Sequence, residues 1–343
     1  MRASRLDVVG IFPSFECKFF GGVQASGREA WQGIVNRIGE RRADALYYEA
    51  GTSKAKAVLR AIGHRKTAEI VLVWHLQLLK LLPFVDHSTS RVILFLHGIE
   101  AWLTHDPVTR FLLKKVDLIL SNSDHTWTRF VECNPAFLEV PHRTVYLGVG
   151  STLGAVTPSS FNPPAVLMVG RLDAREKYKG HRQVIQAWPL VLERIPDAQL
   201  WIVGDGDLRP SLEDLAWQHV PMGSVRFYGQ VSELEKEQLL ARCSCLALPS
   251  RGEGFGLVYV EAMRMGRPCL VSGVDAGREV VNPPEAGLAV DPGDPHAIAD
   301  AVSRMLTVGA EWDQWSRCAR SRYEAHFTRE HFHQRLMTAL FAM

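Results

Sequence analysis

The sequence predicts an α/β protein built as two parallel-sheet domains, and three observations carry that prediction. The chain has 343 residues, which is about two domains at ~150 residues each. Short apolar runs alternate with longer amphipathic segments along nearly its whole length, the pattern of strands covered by crossover helices. Residues 151–164 interrupt that pattern once, after which it restarts.

In the first half the strands fall at Leu6–Ile11, Ile70–Trp74, Val92–Leu96, Leu118–Ser121 and Thr144–Leu147, with helices such as Gln24–Arg37 and Thr126–Cys133 between them. Continuous apolar composition suits strands buried on both faces. The stretch from Gly150 to Pro164 is rich in Gly, Ser, Thr and Pro and reads as a linker. The first domain is therefore 1–150, the linker 151–164, and the second domain 165–328. The second domain's strands are Ala165–Val169, Gln199–Val203, Val225–Tyr228, Cys245–Leu248, Pro268–Val271 and Leu288–Val290. Most of these end in Gly, Ser or Asp clusters, and in open parallel sheets the ligand crevice lies beyond the carboxyl ends of the strands. Two such sheets facing each other would make a cleft. The final helix, 329–343, has an apolar face of Phe332, Leu336 and Leu340 and can pack on its own domain or cross back to the first.

Composition narrows the function classes. At 47% hydrophobic and 22% charged, the chain is an ordinary globular protein, neither disordered nor fibrous. A net charge of +2 gives no basis for dominant nucleic-acid binding. That total is a cancellation: 19 basic against 14 acidic residues up to residue 150, then 20 against 23 after it. The first half's excess concentrates in 53–66, where Lys54, Lys56, Arg60, Arg65 and Lys66 flank Val58, Leu59 and Ile62 with no acidic residue. Two readings stand: a weak interfacial segment for anionic lipid, or a solvated helix face packed on its own sheet. The six cysteines (17, 133, 243, 245, 269, 318) form no Cys-x-x-Cys. Cys243 and Cys245 are placed on one face of a strand as small buried thiols, which suits a reducing cytoplasm. The N-terminus lacks a signal-peptide pattern, and Ile70–Val85, broken by His75, Gln77 and Lys80, is shorter than the ~20 residues that span a bilayer. The expectation is a cytoplasmic protein, with contact at the inner membrane face as an added hypothesis.

Four segments carry chemistry. In Leu248-Pro-Ser-Arg-Gly-Glu-Gly-Phe-Gly-Leu257 a strand stops, a Gly-rich loop follows, and a helix begins. That places the backbone N–H groups of Gly254, Phe255, Gly256 and Leu257 at a helix N-terminus, a site for phosphate. Glu253 precedes the turn and Glu261 lies about two turns into the helix; the plainer reading makes them a favourable N-terminal charge and a solvated helix residue. Val169-Gly-Arg-Leu-Asp-Ala-Arg-Glu-Lys-Tyr-Lys-Gly-His181 places Arg171, Lys177 and Lys179 after the second domain's first strand. Fixed cations there suit a leaving group that gains negative charge. Val203-Gly-Asp-Gly-Asp207 looks like an Asp-x-Asp metal motif, but a Gly-rich turn at a strand end is commoner. Phe227-Tyr-Gly-Gln-Val231 closes another strand. Rival constellations do not assemble: there is no P-loop, no His-Glu-x-x-His and no Gly-x-Ser-x-Gly. His331-Phe-His333 is an isolated pair assigned to the surface of the last helix.

Glu253 and Glu261, set in Gly-Phe-Gly-Leu-Val and Glu-Ala-Met, form a Glu-x7-Glu pattern that resembles the retaining glycosyltransferases of family 4 (glycosyl transferases group 1), which have the GT-B fold and use nucleotide-sugar donors. The resemblance covers nearly the whole chain and is specific mainly over 165–305. It implies two Rossmann-like domains facing across a cleft. It also implies a catalytic set of His97, Arg171, Lys179 and Glu253. Arg171 and Lys179 become the diphosphate clamp; Lys177 competes for the role because the family varies in loop length there, and is ranked second. Gly254, Phe255, Gly256 and Leu257 hold the leaving diphosphate, Glu253 positions sugar hydroxyls, and Glu261 grips the ribose. Gly204 and Asp205 fall in the nucleotide pocket, and Gly229 and Val231 where the base packs. In the first domain, Gly21 and Gly22 form the loop over the donor phosphates, His97 lies near the anomeric carbon, and Asn122, Ser123 and Asp124 border the cleft. Asp275-Ala-Gly-Arg-Glu279 departs from the family's Gly-Gly-x-x-Glu, which leaves the role of Glu279 open.

The implied activity is a metal-independent transfer from a nucleotide-diphosphate sugar, with no further cofactor, to a hydroxyl on a glycan or glycolipid of cell-surface polysaccharide synthesis. The family is understood to react on the donor's front face, the departing phosphate taking the acceptor proton; the two glutamates are not a glycosidase pair. Two other classes stay open: a GT-B epimerase or hydrolase acting on its donor alone, and a catalytically idle binding subunit.

Overall fold

The computed structural model describes residues 6–15, 21–49, 67–150 and 163–341. The chain divides into two compact units, Met1–Gly148 with Arg329–Met343, and Val149–Thr328. The basic segment with Lys54, Lys56, Arg60, Arg65 and Lys66, the residue Cys17 and most of the expected linker lie outside the described residues. Among the described residues no helix is long and apolar enough to cross a membrane.

The first unit is built on a parallel sheet in the order β2-β1-β3-β4-β5-β6, with β1 Leu6–Pro13, β2 Ala43–Tyr48, β3 Ala68–Val73, β4 Arg91–Leu96, β5 Leu118–Ser121 and β6 His142–Thr144. The central strands are apolar on both faces, as helix-covered parallel strands must be. Strand β2 is absent from the sequence reading because it is an edge strand in which only Leu46 is buried. Strand β6 corrects the expected Thr144–Leu147. Its ladder pairs His142, Arg143 and Thr144 with β5, and Val145 and Leu147 are buried by packing beyond the strand. The helix Gly22–Ile38 follows β1, and the last helix, Arg329–Phe341, lies against it. Phe332, Leu336 and Leu340 are buried, and Arg329 Nε reaches Glu29 Oε2 at 2.6 Å. His333 is a packing residue, correcting its surface assignment. Its Nε2 donates to the Glu29 carbonyl at 2.9 Å, and its ring lies so close over Gly33 that a Cβ there would stand 2.8 Å from it.

The second unit has the order β12-β11-β10-β7-β8-β9, all neighbours parallel. Its strands are β7 Ala165–Val169, β8 Gln199–Val203, β9 Val225–Gly229, β10 Cys245–Leu248, β11 Cys269–Ser272 and β12 Gly287–Val290. Counted within the unit this is the doubly wound order, which reverses between β7 and β10. The crossovers leave in opposite directions there, so the loops after those two strands part and open a crevice. Cys243 is not on the strand with Cys245. It is the C-cap of helix Glu233–Arg242, where its Sγ donates to the Leu240 carbonyl at 3.3 Å. Burial pushes its thiol up to about 12, which makes it a packed apolar group and a poor nucleophile.

Candidate functional site

The reversal point places the two most informative loops side by side. The loop after β7 is stitched to the loop after β8: the Gly170 N–H donates to the Val203 carbonyl at 3.0 Å, that of Leu172 to Asp205 at 3.1 Å, and that of Leu208 to Leu172 at 2.8 Å. Gly204 sits at φ +135°, and any Cβ there would overlap the Gly170 carbonyl oxygen. This close approach is why the position is glycine. Asp205 is exposed and faces Arg209 at 3.8 Å, while Asp207 Oδ1 accepts the Ala174 N–H at 2.7 Å. The two aspartates of the Asp-x-Asp thus serve separate partners. The Gly204 N–H donates to the Gly229 carbonyl at 2.8 Å, so Gly204, Asp205 and Gly229 share one edge, with Val231 half-buried just beyond it.

Across the reversal point runs a chain of charges. Arg171 pairs with Glu176. Glu176 Oε2 lies 3.5 Å from Lys179 Nζ, which reaches Glu253 Oε2 at 3.3 Å. A short 3-10 segment, Ala174–Lys179, kinked at Glu176 and capped by Asp173, presents Lys179, and Gly180 in the left-handed region turns the chain into helix His181–Arg194. Burial alone would lower the Lys179 ammonium's pKa, yet Glu253, Tyr178 and Glu176 hold it above the ordinary lysine value. It is therefore a fixed cation in a partly water-excluded place. Lys177, the other candidate, is exposed to solvent. Arg171, Lys179 and Glu253 form one network drawn from two strands that meet only in the fold.

The loop after β10 is shaped by Gly256, at φ +86°, where a Cβ would overlap the Tyr259 ring. Tyr259 is fully buried and donates its hydroxyl to the Leu248 carbonyl at 2.7 Å, anchoring helix Leu257–Arg264 to its strand. Phe255 is buried against Phe327, ring centroids 5.9 Å apart. The chain from Gly254 to Leu257 thereby enters the helix with Gly256 as an N-cap that offers no side-chain acceptor, and the Tyr259 N–H turns back to the Gly256 carbonyl at 3.0 Å.

Glu261 is neither free nor fully solvated. Its Oε1 accepts from Lys236 Nζ at 3.0 Å, and Lys236 also meets Glu233 at 2.8 Å. Lys236 escaped the sequence reading, although the Ser232–Glu235 capping box marks the helix that carries it. The neighbouring pair Glu237 and Arg264, 2.5 Å apart and buried, ties the same two helices together. Asp275, after β11, accepts the Glu253 N–H at 3.1 Å. Glu279 has its carbonyl bound by Arg322 at 2.8 Å.

In the first unit, His97 follows β4. Its Nε2 lies 2.6 Å from the Trp74 carbonyl, and a carbonyl can only accept, so Nε2 carries the proton and Nδ1 keeps its lone pair. The Glu100 carboxylate accepts the His97 N–H at 2.6 Å, and the Asn122 amide donates to the His97 carbonyl at 2.7 Å. Asn122 is thus engaged with His97, Ser123 caps helix Asp124–Cys133, and Asp124 accepts from Thr144. Gly21 is the N-cap of helix Gly22–Ile38, its N–H held by Gln24 Oε1 at 3.2 Å.

Burial brings His97 down to about 4. The unfolded chain therefore takes a proton near pH 6.5 that the folded ring refuses. His97 stabilises the fold fully above pH ~6.5, and stability falls by about 1.4 kcal/mol per pH unit between pH ~6.5 and ~4. Urea midpoints measured across this range should fall on acidification. His97→Asn should flatten part of that slope; His142, also near 4 through burial, and His181, brought down to about 3 by burial, retain theirs, while Asp275, raised to about 7, contributes in the opposite direction.

The profile of the Glycosyl transferases group 1 family matches residues 163–308. An uncharacterized glycosyltransferase of Methanocaldococcus jannaschii is 38% identical over 142 residues, 41% of this chain and 35% of that protein. A phosphatidyl-myo-inositol mannosyltransferase of Mycobacterium leprae is 39% identical over 145 residues, 41% of this chain and 37% of that protein. The chain thus matches little more than a third of the length of these relatives. Among solved structures, Anabaena HepE with UDP-glucose superposes with a TM-score of 0.80 at 17% identity, covering 99% of this chain and 100% of that one. Sucrose-phosphate synthase of Thermosynechococcus elongatus gives 0.75 at 18%, covering 96% and 97%. The chain has the GT-B fold, and over residues 163–308 it is similar to the Glycosyl transferases group 1 family.

Proposed function

We propose that this protein is a retaining, metal-independent glycosyltransferase that moves a sugar from a nucleoside-diphosphate sugar to a hydroxyl of a glycan or lipid-linked acceptor in polysaccharide synthesis. One observation carries the reading: Lys179, a largely covered cation, is held between Glu176 and Glu253 where a doubly wound sheet reverses. A departing diphosphate gains charge as the glycosidic bond breaks, and cations fixed beforehand stabilise that state more than the ground state. Lys179 and Arg171 supply the charge, and the N–H groups of Gly254 to Leu257 supply donors. Glu253 orients sugar hydroxyls, Glu261 the ribose, and neutral His97 accepts from a hydroxyl through Nδ1. The departing phosphate takes the acceptor proton. Glycosyltransferase names among the relatives, and the UDP-glucose bound to HepE, support a nucleotide-sugar donor.

The first test is a thermal-shift panel of UDP-, GDP- and ADP-sugars, since a bound donor stabilises the fold by mass action. Absence of a shift with any of them would count against the reading. Recovery of an altered sugar without acceptor would redirect it to an epimerase. Glu261→Gln is expected to weaken nucleoside-diphosphate binding about tenfold, the scale of one charge-assisted hydrogen bond, with Tm nearly unchanged. Calorimetric titration giving the wild-type Kd would remove Glu261 from the site.

A further inference from the structure

Asp275 stands where the chain departs from the Gly-Gly-x-x-Glu wording, and it is 4% exposed. Its Oδ2 accepts the Glu253 N–H at 3.1 Å and its Oδ1 the Gly277 N–H at 3.0 Å, and the Ser250 hydroxyl donates to it as well. Ser250 Oγ in turn accepts the Gly252 N–H at 3.1 Å. In the opposite direction, the Ala276 N–H donates to the Glu253 carbonyl at 3.2 Å. The turn Ser250–Glu253 is therefore bound both ways to residues 275–277, and a glycine at 275 would supply none of the carboxylate bonds.

We propose that Asp275 is a positioning residue whose carboxylate fixes the backbone of Glu253, and through it the Glu253 carboxylate and the Lys179 ammonium 3.3 Å away. This rests on the reading of Glu253 and Lys179 as donor contacts. An ionised carboxylate accepts from all three donors, whereas a protonated one must itself donate and gives up acceptor capacity. The charged and titratable groups around it are Glu253 from the loop after β10, the Tyr259 phenol from helix Leu257–Arg264, and Arg278 in the short helix Gly277–Val281 that follows it, which turns to the Gly273 carbonyl at 3.2 Å. Lys179 is screened behind Glu253. Burial, aided by Glu253, raises Asp275 to about 7 against the pull of its hydrogen bonds. The clamp therefore tightens as pH rises through that value.

The test uses the full chain. Hydrogen exchange of residues 250–256, corrected for intrinsic rates, is followed from pH 5.5 to 8.5 in wild type and in Asp275→Asn. The wild type should gain about tenfold protection through pH ~7, and the variant should show no such step. With nucleotide sugar and acceptor, Asp275→Asn should lose about tenfold in kcat with donor KM little changed, and should lose the acid limb near pH 7. Asp275→Gly should behave likewise, and Asp275→Glu should recover part of the loss. A flat wild-type exchange profile, or Asp275→Asn with wild-type kcat and pH profile, overturns the proposal. The exchange step present in a wild type that transfers no sugar would uphold the clamp and overturn the transferase reading alone. Because the wild-type step needs no variant, the proposal stays testable if Asp275→Asn fails to fold.

Discussion

Lys179→Ala should lower kcat for sugar transfer by about 10²–10³-fold, the usual loss when one preorganised electrostatic contact to a charge-gaining transition state is removed. Donor KM should change less. In the proposed transferase, ground-state diphosphate already carries its charge and would retain Arg171 and the loop amides, whereas the extra charge of the transition state would fall on the group assigned to Lys179. The fold should suffer less than the chemistry. Removing Nζ leaves Glu176 with Arg171, and Glu253 with its backbone held by Asp275. Lys179→Arg keeps the charge but places a planar fork where a compact ammonium meets two carboxylates at 3.5 and 3.3 Å, so partial activity is expected. Steady-state kinetics at saturating acceptor decide the matter. Unchanged kcat and KM would refute the clamp, and a comparable loss in Lys177→Ala with none in Lys179→Ala would move the role to the exposed lysine two residues earlier.

How far the sequence carried the structure depended on whether a feature was local. The apolar runs of β7, β8 and β10 predict those strands to the residue because each is buried on both faces along nearly all its length and its ends are marked by polar or Gly residues. Strand β2 escaped because, as an edge, it buries little: Ala43-Asp-Ala-Leu-Tyr-Tyr48 has no clear period. At β6 the apolar signal runs past the strand, since Val145 and Leu147 are buried beyond its end, where the Val145 N–H makes one last bond to the Ser121 carbonyl at 2.8 Å. The spacing of Cys243 and Cys245 suits one strand face, yet Cys243 caps a helix and the strand starts only at Cys245. Within the candidate site, the glycines and the residues of the two loops were visible because loop chemistry is written contiguously. Lys236 was not, since its partner Glu261 lies 25 residues away. Nor was the packing of His333, whose partner Glu29 is 304 residues distant. Pairings of that kind exist only once the topology has formed.

Glu237→Ala should be among the most destabilising single changes in the second unit, costing about 3–5 kcal/mol. The side chains of Arg264 and Glu237 are 5% and 7% exposed, with Nη2 and Oε1 2.5 Å apart, so removing the carboxylate strands a guanidinium that water cannot reach. Arg264 has little else to turn to. Its Nη1 is already given to the Gly150 carbonyl, and its Nε is buried with no hydrogen-bond partner. For a unit of this size the loss corresponds to a Tm drop of about 6–20 °C, measurable by differential scanning calorimetry. Replacing both partners, Glu237→Leu with Arg264→Met, should recover much of it, because the desolvation penalty leaves with the charges; the freed Gly150 carbonyl sets what is not recovered. A drop of less than about 2 °C in Glu237→Ala would mean that water enters and solvates Arg264. The consequence reaches the candidate site as well. Helix Glu233–Arg242 carries Lys236 beside Glu237, and helix Leu257–Arg264 carries Glu261 one turn before Arg264, so the buried pair sets the register in which Lys236 meets Glu261 at 3.0 Å. Nucleoside-diphosphate affinity in Glu237→Ala, measured below its lowered Tm, should therefore fall too. In the double replacement it should return with the stability, because apolar packing between the two helices restores that register without the charges.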